Sequence, residues 1–241
     1  FGNSSASDNF YERNTDYCGG TGFAAIDFST PVFTGNDFGQ HLSCYEGLNT
    51  ITGKQVAANV LMWQQEDVMA VNIRDSRKEQ LPVMTSLSML RMPVTKRGDH
   101  QAVSRLRQVG NYIVLTQEFK EDNYYCSSAL VASVAGRKAT AEQTSATSIR
   151  LAALPGADTF SVYIASAATF DPAVDVVQAA IKKLEAAQQS GFNAILQANR
   201  SWWRHFWQRS YIQLNSADKK ADFIAQNYAW YLYVMASSSQ G

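Results

Sequence analysis

Charge of one sign is what this sequence lacks first. Lys and Arg together number 21, Asp and Glu also 21, and no basic run stands out. A nucleic-acid or anionic-membrane partner therefore has no electrostatic footprint. No apolar run approaches the roughly 20 residues a membrane-spanning helix needs. Cysteine is scarce, and Cys18, Cys44 and Cys126 show no CxxC spacing, which excludes a zinc knuckle and a thioredoxin motif. One disulfide with a thiol left over, or three unpaired buried thiols, both fit this count. The three histidines, His41, His100 and His205, have no second ligand-type residue at a metal-binding spacing. No G-x-S-x-G elbow supports a nucleophilic serine. The glycines of Cys18–Gly22 and Thr34–Gly39 fit neither GxGxxG nor GxxxxGK followed by Ser or Thr, so they read as turns and not as a phosphate loop. No repeat of about 20–50 residues points to a solenoid or propeller. No cofactor or metal is implied, and no residue is assigned a catalytic role.

What is present is apolar and well patterned. Hydrophobic residues make up 46% of 241 and charged residues 17%, enough for a sizeable core. The chain starts Phe1-Gly2-Asn3-Ser4 without methionine or a signal-like segment and stops at Gly241 directly after a helical pattern. We expect a piece of a longer polypeptide, with a tag-cleaved complete domain as the alternative.

Short strands are expected around Gly22–Asp27 and Gln40–Tyr45. From Gln55 to Ser166 the dominant signal is alternation. Met69, Val71 and Ile73 share one face, as do Val83, Leu87 and Met89. Ile113, Leu115 and Phe119 do the same with Gln117 among them, and Cys126, Leu130, Ala132 and Val134 follow. Ile149 with Leu151, and Phe160 with Val162 and Ile164, complete the series. A period of two over many short runs predicts strands with one buried face. Turn residues separate them at Asp75–Lys78, Lys96–Asp99, Gly136–Lys138 and Pro155–Asp158. No helical stretch interrupts, so an antiparallel sandwich is expected over residues 1–168.

The period changes at Phe170. Asp171 is expected to cap a helix with Pro172 in its first turn. Val174, Val177, Ile181 and Leu184 form its stripe and Gly191 its stop. A second helix is expected over 193–208, with Ile195, Ala198, Trp202, Phe206 and Arg209 on one stripe, widened by Trp203 and Trp207. So many rings on one helix predict that it lies between two bodies. Tyr211–Leu214 reads as a short strand. Ser216 is expected to cap a third helix whose apolar face holds Phe223, Ile224, Asn227, Tyr228, Tyr231, Leu232 and Met235. We therefore divide the chain into a sandwich (1–168), a helical linker (169–210) and the truncated start of a helical domain (211–241).

Each candidate for chemistry meets a plainer account. Trp202, Trp203 and Trp207 suit a sugar-stacking platform, but their helical spacing favours glue between domains. Glu118, Glu121 and Asp122 are the densest acid cluster, and paired carboxylates serve glycoside hydrolysis, yet a strand end and a solvated turn account for them, as a turn does for Glu66 and Asp67. His205 is read as a hydrogen-bonded interface residue and His100 as solvated.

Several segments together resemble the N-terminal part of bacterial glycoside hydrolases. They are Asn49–Gly53, Asp67–Val71 with Asp75–Arg77, Leu115–Phe119, Trp203–Ser210 and Tyr231–Ser238. The pattern is similar to the family 95-like enzymes, which include α-L-fucosidases. The resemblance implies a β-supersandwich and a helical linker followed by an (α/α)₆ barrel that carries the catalytic acid and base. It places Asp171–Arg209 in the linker and Asp218–Met235 in the first barrel helix. It implies a non-catalytic bracing role, a carbohydrate substrate for the parent hydrolase, a barrel partner in the same polypeptide and a periplasmic or secreted location. A free-standing carbohydrate-binding module is the alternative. An unpartnered helical face also predicts self-association.

Overall fold

The computed structural model describes residues 20–97, 100–121 and 124–238. Cys18, Gly98, Asp99 and Asp122 lie outside the described residues, as do the side chains of Arg97, His100 and Glu121. Among the described residues the first strands are β1 (Gly22–Asp27), β2 (Gly39–Ser43), β3 (Leu48–Gly53), β4 (Val56–Trp63), β5 (Val68–Asp75) and β6 (Val83–Met89). Next come β7 (Val94–Arg97), β8 (His100–Val109), β9 (Tyr112–Glu121) and β10 (Tyr124–Ala135). β11 (Ala139–Ser145), β12 (Ser148–Ala153) and β13 (Thr159–Thr169) precede α1 (Val176–Ser190), α2 (Phe192–Arg209) and α3 (Lys220–Ser238). The chain is mainly antiparallel β followed by C-terminal helices, as the alternation predicts.

The strands form a nine-stranded sheet, ordered β2-β3-β4-β5-β13-β10-β9-β8-β7, and a four-stranded sheet, β1-β6-β12-β11. The alternating residues meet between them. Ile73, Ile113, Leu115, Phe160 and Val162 of the large sheet pack on Val83, Leu87, Ile149 and Leu151 of the small one. Gln117 joins this layer because its Nε2 donates to Ser104 Oγ and its Oε1 accepts from Arg91, which satisfies a buried amide.

The expectation of one buried face fails for the central strands. In β5, Val68 and Ala70 are buried on the opposite side from Ile73, together with Leu61, Val114, Val131 and Ala165. The cause is α1, which lays Val177, Ala180, Ile181 and Leu184 across the outer face of the large sheet. Lys183 pins the helix by an ion pair with Asp67, and Tyr112 donates to Glu185 at 2.9 Å.

Asp75 is fully buried at one end of the sandwich. Arg77 grips it with two bonds of 2.7 and 2.8 Å, while Arg77 Nη1 donates to Thr30. Burial pushes the Asp75 carboxyl up, but the hydrogen bonds and charge of Arg77 outweigh this and hold it below its ordinary value. Arg137 lies over the Phe160 ring, 4.1 Å from its centroid, and donates to Ala157 O and Gln80. This polar cluster ties the β5–β6 and β12–β13 connections together.

Three local expectations are corrected. The cap of α1 is Asp175, whose carboxylate accepts from the amides of Val177 and Gln178. Asp171 instead closes a turn, accepting from Ala173 N–H, and Val174 is exposed before the helix begins. Gly191 does end α1, at φ 76° with its N–H donated to Ala187 O. Residues 211–214 form no strand and are exposed. Ser216 behaves as expected: its Oγ accepts from Ala221 N–H and its N–H donates to Asp222.

Candidate functional site

The helices of the C-terminal third define the feature with the most to say about function. In α2 the buried residues are Phe192, Ile195, Asn199, Trp203 and Trp207. The stripe is therefore rotated from the expected one: Trp203 and Trp207 form its centre, Trp202 and Phe206 its half-buried flank, and Arg209 is exposed. A helix of period 3.6 with large rings at four of six consecutive positions has no single stripe legible in sequence.

The surface this stripe grips is the turn between β2 and β3. Trp207 Nε1 donates to Cys44 O at 3.2 Å. Asn199 Nδ2 donates to Glu46 O at 3.1 Å, and the Arg200 guanidinium pairs with the Glu46 carboxylate at 2.9 Å. Gly47, at φ 60°, lies directly on the Trp203 indole; a Cβ there would sit 2.0 Å from Nε1. Only a residue without Cβ allows the turn this close. Sequence reasoning missed Gly47 because its partner lies more than 150 positions away.

On the far side of Trp203 lies α3. The Tyr233 ring stacks on Trp203 at 5.0 Å, with Trp207 at 6.1 Å and Trp202 edge-on at 4.9 Å. Ala229, Leu232 and Ala236 complete this cluster. The aromatic helix thus lies between the sandwich and a further helix, as its ring content predicts.

The other side of α3 has no cover among the described residues. Phe223 is 65% exposed, Ile224 57%, Trp230 53%, Tyr231 60% and Val234 58%. At 100° per residue these side chains share one arc of about 120°, opposite the packed side that carries Ala229, Leu232, Tyr233 and Ala236, so α3 is apolar on two opposite sides. Contiguous apolar surface of this kind marks an interaction site.

The candidate chemical groups do not converge. Glu118 lies on β9, three residues before the strand's end, and accepts weakly from Tyr125 at 3.4 Å. It lines a groove of about 250 Å³ with Arg105, Arg107, Thr116, Ser127 and Asp175, and the Asp175 carboxylate there is engaged by the amides of Val177 and Gln178. Glu66 lies in the β4–β5 turn, as expected, while Asp67 is committed to Lys183. His205 Nδ1 lies 2.8 Å from Ser201 O of its own helix and is exposed, so it is hydrogen-bonded but faces no partner. His41 lies on the exposed edge strand β2. Burial pushes the Cys44 thiol up, which keeps it in its unreactive form. No group of metal-ligating side chains forms among the described residues, and no described helix is long and apolar enough to cross a membrane.

The fold and this clasp define a class: an antiparallel sandwich bound through an aromatic helix to helical structure. Residues 123–212 match a family model described as Domain of unknown function (DUF5703). That stretch runs from the start of β10 to just past α2, less than half of the chain. Among solved structures, the fold is similar to a protein described as "Putative kojibiose phosphorylase from human microbiome", with a TM-score of 0.58 and 17% identity. The match covers 83% of this chain and 28% of that one, so the chain spans under a third of that protein's length. At this identity the likeness is one of fold. A search of curated protein sequences finds no match.

Proposed function

We propose that this chain is the non-catalytic N-terminal sandwich and linker of a bacterial carbohydrate-active enzyme, which braces a helical catalytic body through α2 and α3. The observation that carries the reading is the exposed apolar side of α3, set directly against the aromatic cluster that anchors it to the sandwich. A helix held on one side by Trp203 and apolar on the opposite side needs a second body, and a helical barrel of the same polypeptide supplies one. The fold shared with part of a much longer phosphorylase supports this division. Its role is mechanical: it fixes the first helix of the catalytic body and shapes one rim of the sugar cleft. The motif resemblance favours glycoside hydrolysis of the family 95 type in the periplasm or outside the cell.

The alternative, a free-standing carbohydrate-binding module, needs aromatic side chains offered to solvent on strands or loops. Phe23, Phe38 and Tyr45 are exposed on strands and turns, but the indoles of Trp203 and Trp207 lie in the interior, and their burial against the sandwich favours the brace.

The test is to assay the natural polypeptide that carries this chain against α-linked disaccharides and fucosides, with and without inorganic phosphate. Sugar release independent of phosphate supports a hydrolase, and release of a sugar phosphate only with phosphate supports a phosphorylase within the same broader reading. No cleavage of any glycoside, together with saturable glycan binding by the 241-residue chain, replaces the brace with the binding module.

A further inference from the structure

The outer face of the large sheet changes character along its strands. Register aligns Leu48 with Leu61, Leu61 with Ala70 and Ala70 with Tyr163, and this row packs with the helices. Two residues nearer the β3–β4 turn, the next row on the same face is polar. Thr50 lies opposite Asn59, Asn59 opposite Asn72, and Asn72 opposite Ser161. From β3 to β13 the row spans about 14 Å at a strand spacing of about 4.8 Å. It carries no charge, and Thr50, Asn59 and Asn72 are half-buried.

Asparagine is depleted in strands, yet two stand directly opposed on adjacent strands. Each amide is held by its outer neighbour. Thr50 Oγ1 donates to Asn59 Oδ1 at 2.9 Å, and Asn72 Nδ2 donates to Ser161 Oγ at 3.1 Å. Among the described residues no hydrogen bond joins the two amides to each other. Asn59 thus keeps its Nδ2 donors unspent beside the unspent Oδ1 acceptor of Asn72. Two neighbouring hydroxyls, each able to donate and to accept, complement such a pair.

Further towards the β3–β4 turn lies a recess of about 800 Å³. Ala57 separates Thr52 from Arg74 in the next row and leaves room between them. Lys54 and Gln55 of the turn also line the recess, and both are strained, at φ 42° and 65°. Two-residue hairpin turns ordinarily put Asn and Gly there. The turn is tied in place: Lys54 Nζ donates to Pro31 O at 2.8 Å, and Ser76 N–H donates to Gln55 O. Backbone strain of this kind collects at binding sites.

The chemistry narrows the ligand. The strip has no large apolar side chain, so it lacks the core of a protein interface. Arg74 alone makes no phosphate track, since the Lys54 ammonium is spent on Pro31 O. Amides and hydroxyls with unspent bonds fit a neutral polyol.

We propose that this strip binds a neutral oligosaccharide. Asn59 and Asn72 bond neighbouring hydroxyls of one sugar ring, and Thr52, Gln55 and Arg74 bond the next. The choice of a glycan among neutral polyols rests on the carbohydrate-active reading above. The strip adds to the brace a contact made by hydrogen bonds and not by ring stacking.

The test is affinity electrophoresis of the natural polypeptide through gels containing starch, xylan, β-glucan or galactan, with polygalacturonate as the charged comparison. Two variants run beside it. Asn59→Ala with Asn72→Ala removes the paired amides. Gln55→Gly removes a third amide and relieves the turn, so it should raise Tm while weakening binding. The expected result is retardation in at least one neutral gel, weakened at least about fivefold in both variants, as the loss of a hydrogen bond gives. Equal retardation of all three proteins overturns the inference, even where the polypeptide cleaves glycosides. Retardation by polygalacturonate alone, or by no gel, overturns it as well. Retardation that both variants weaken, in a polypeptide that cleaves no glycoside, upholds the strip and overturns the enzymatic reading instead.

Discussion

Gly47→Ala probes the contact that joins sandwich to helices, and Gly110→Ala supplies its control. Both glycines adopt nearly the same backbone, φ 60° and φ 57°. They differ in what surrounds them. A Cβ at Gly110 meets nothing within 4 Å, whereas one at Gly47 falls 2.0 Å from Trp203 Nε1 and 2.7 Å from Cδ1 and Cε2. Placing an L-residue in the left-handed region costs about 1–2 kcal/mol at either site. At Gly47 the indole must also move, and it is 1% exposed and stacked on Tyr233. Forcing an extra methyl into a filled site adds roughly 1–3 kcal/mol. The sum is about 2–5 kcal/mol for Gly47→Ala and about 1–2 kcal/mol for Gly110→Ala. For a chain of this length each kcal/mol moves Tm by about 2–4 °C. Calorimetry should therefore place Gly47→Ala several degrees below Gly110→Ala, with the indole near-ultraviolet dichroism altered only in the former. Equal Tm values for the two variants would refute the claim that the β2–β3 turn rests on a fixed Trp203.

Three further outcomes follow from the same geometry. Asp75→Asn leaves the largely buried Arg77 without its charge partner and should destabilise the chain by about 3–5 kcal/mol in urea unfolding. Because the folded-state pKa of Asp75 is depressed, its contribution is fully present above the unfolded value of about 3.9 and is lost as pH falls through the lower folded value. The variant's acid limb below about pH 4 should be correspondingly flatter than that of the natural chain. Asp175→Ala removes the acceptor for two helix amides and should cost about 1 kcal/mol, while Asp171→Ala, outside the helix, should change thermal stability by less than about 0.5 kcal/mol. Asn199→Ala deletes a buried bond to Glu46 and should cost about 1–3 kcal/mol, read by the same urea titration.

Much of the sandwich was legible because alternation is written locally. Ile113, Leu115 and Gln117 share a face for reasons contained within five residues, and the same holds for Phe160, Val162 and Ile164. How the strands divide between sheets was not legible, since β1 pairs with β6 some sixty positions away and β5 with β13 some ninety away. The burial of both faces of β5 was hidden for a similar reason: α1, which covers it, lies a hundred residues downstream. At the start of α1 two aspartates compete for the cap, and Asp171 followed by proline reads well in sequence. Asp175 prevails because the helix begins at Val176, its first buried residue. In α2 the rings were legible as glue, but their phase was not. Trp202, Trp203, Phe206 and Trp207 cover too much of the circumference, and only the position of Gly47 decides that Trp203 is central. The acids misled in another way. β9 runs on to Glu121, so Glu118 lies within the strand, and the acid that shares its groove, Asp175, comes from the start of α1 some sixty positions downstream.

The apolar side of α3 is, in the function proposed above, an interface with a second body of the same polypeptide. The most direct measurement introduces Ile224→Lys and Tyr231→Lys together, one helical heptad apart, and compares two contexts. In the 241-residue chain both side chains are more than half exposed, so Tm should stay within about 2 °C, as surface substitutions do. In the natural polypeptide the two lysines should abolish glycoside cleavage and lower its thermal stability by several degrees. Unchanged activity and unchanged stability in both contexts would contradict the account.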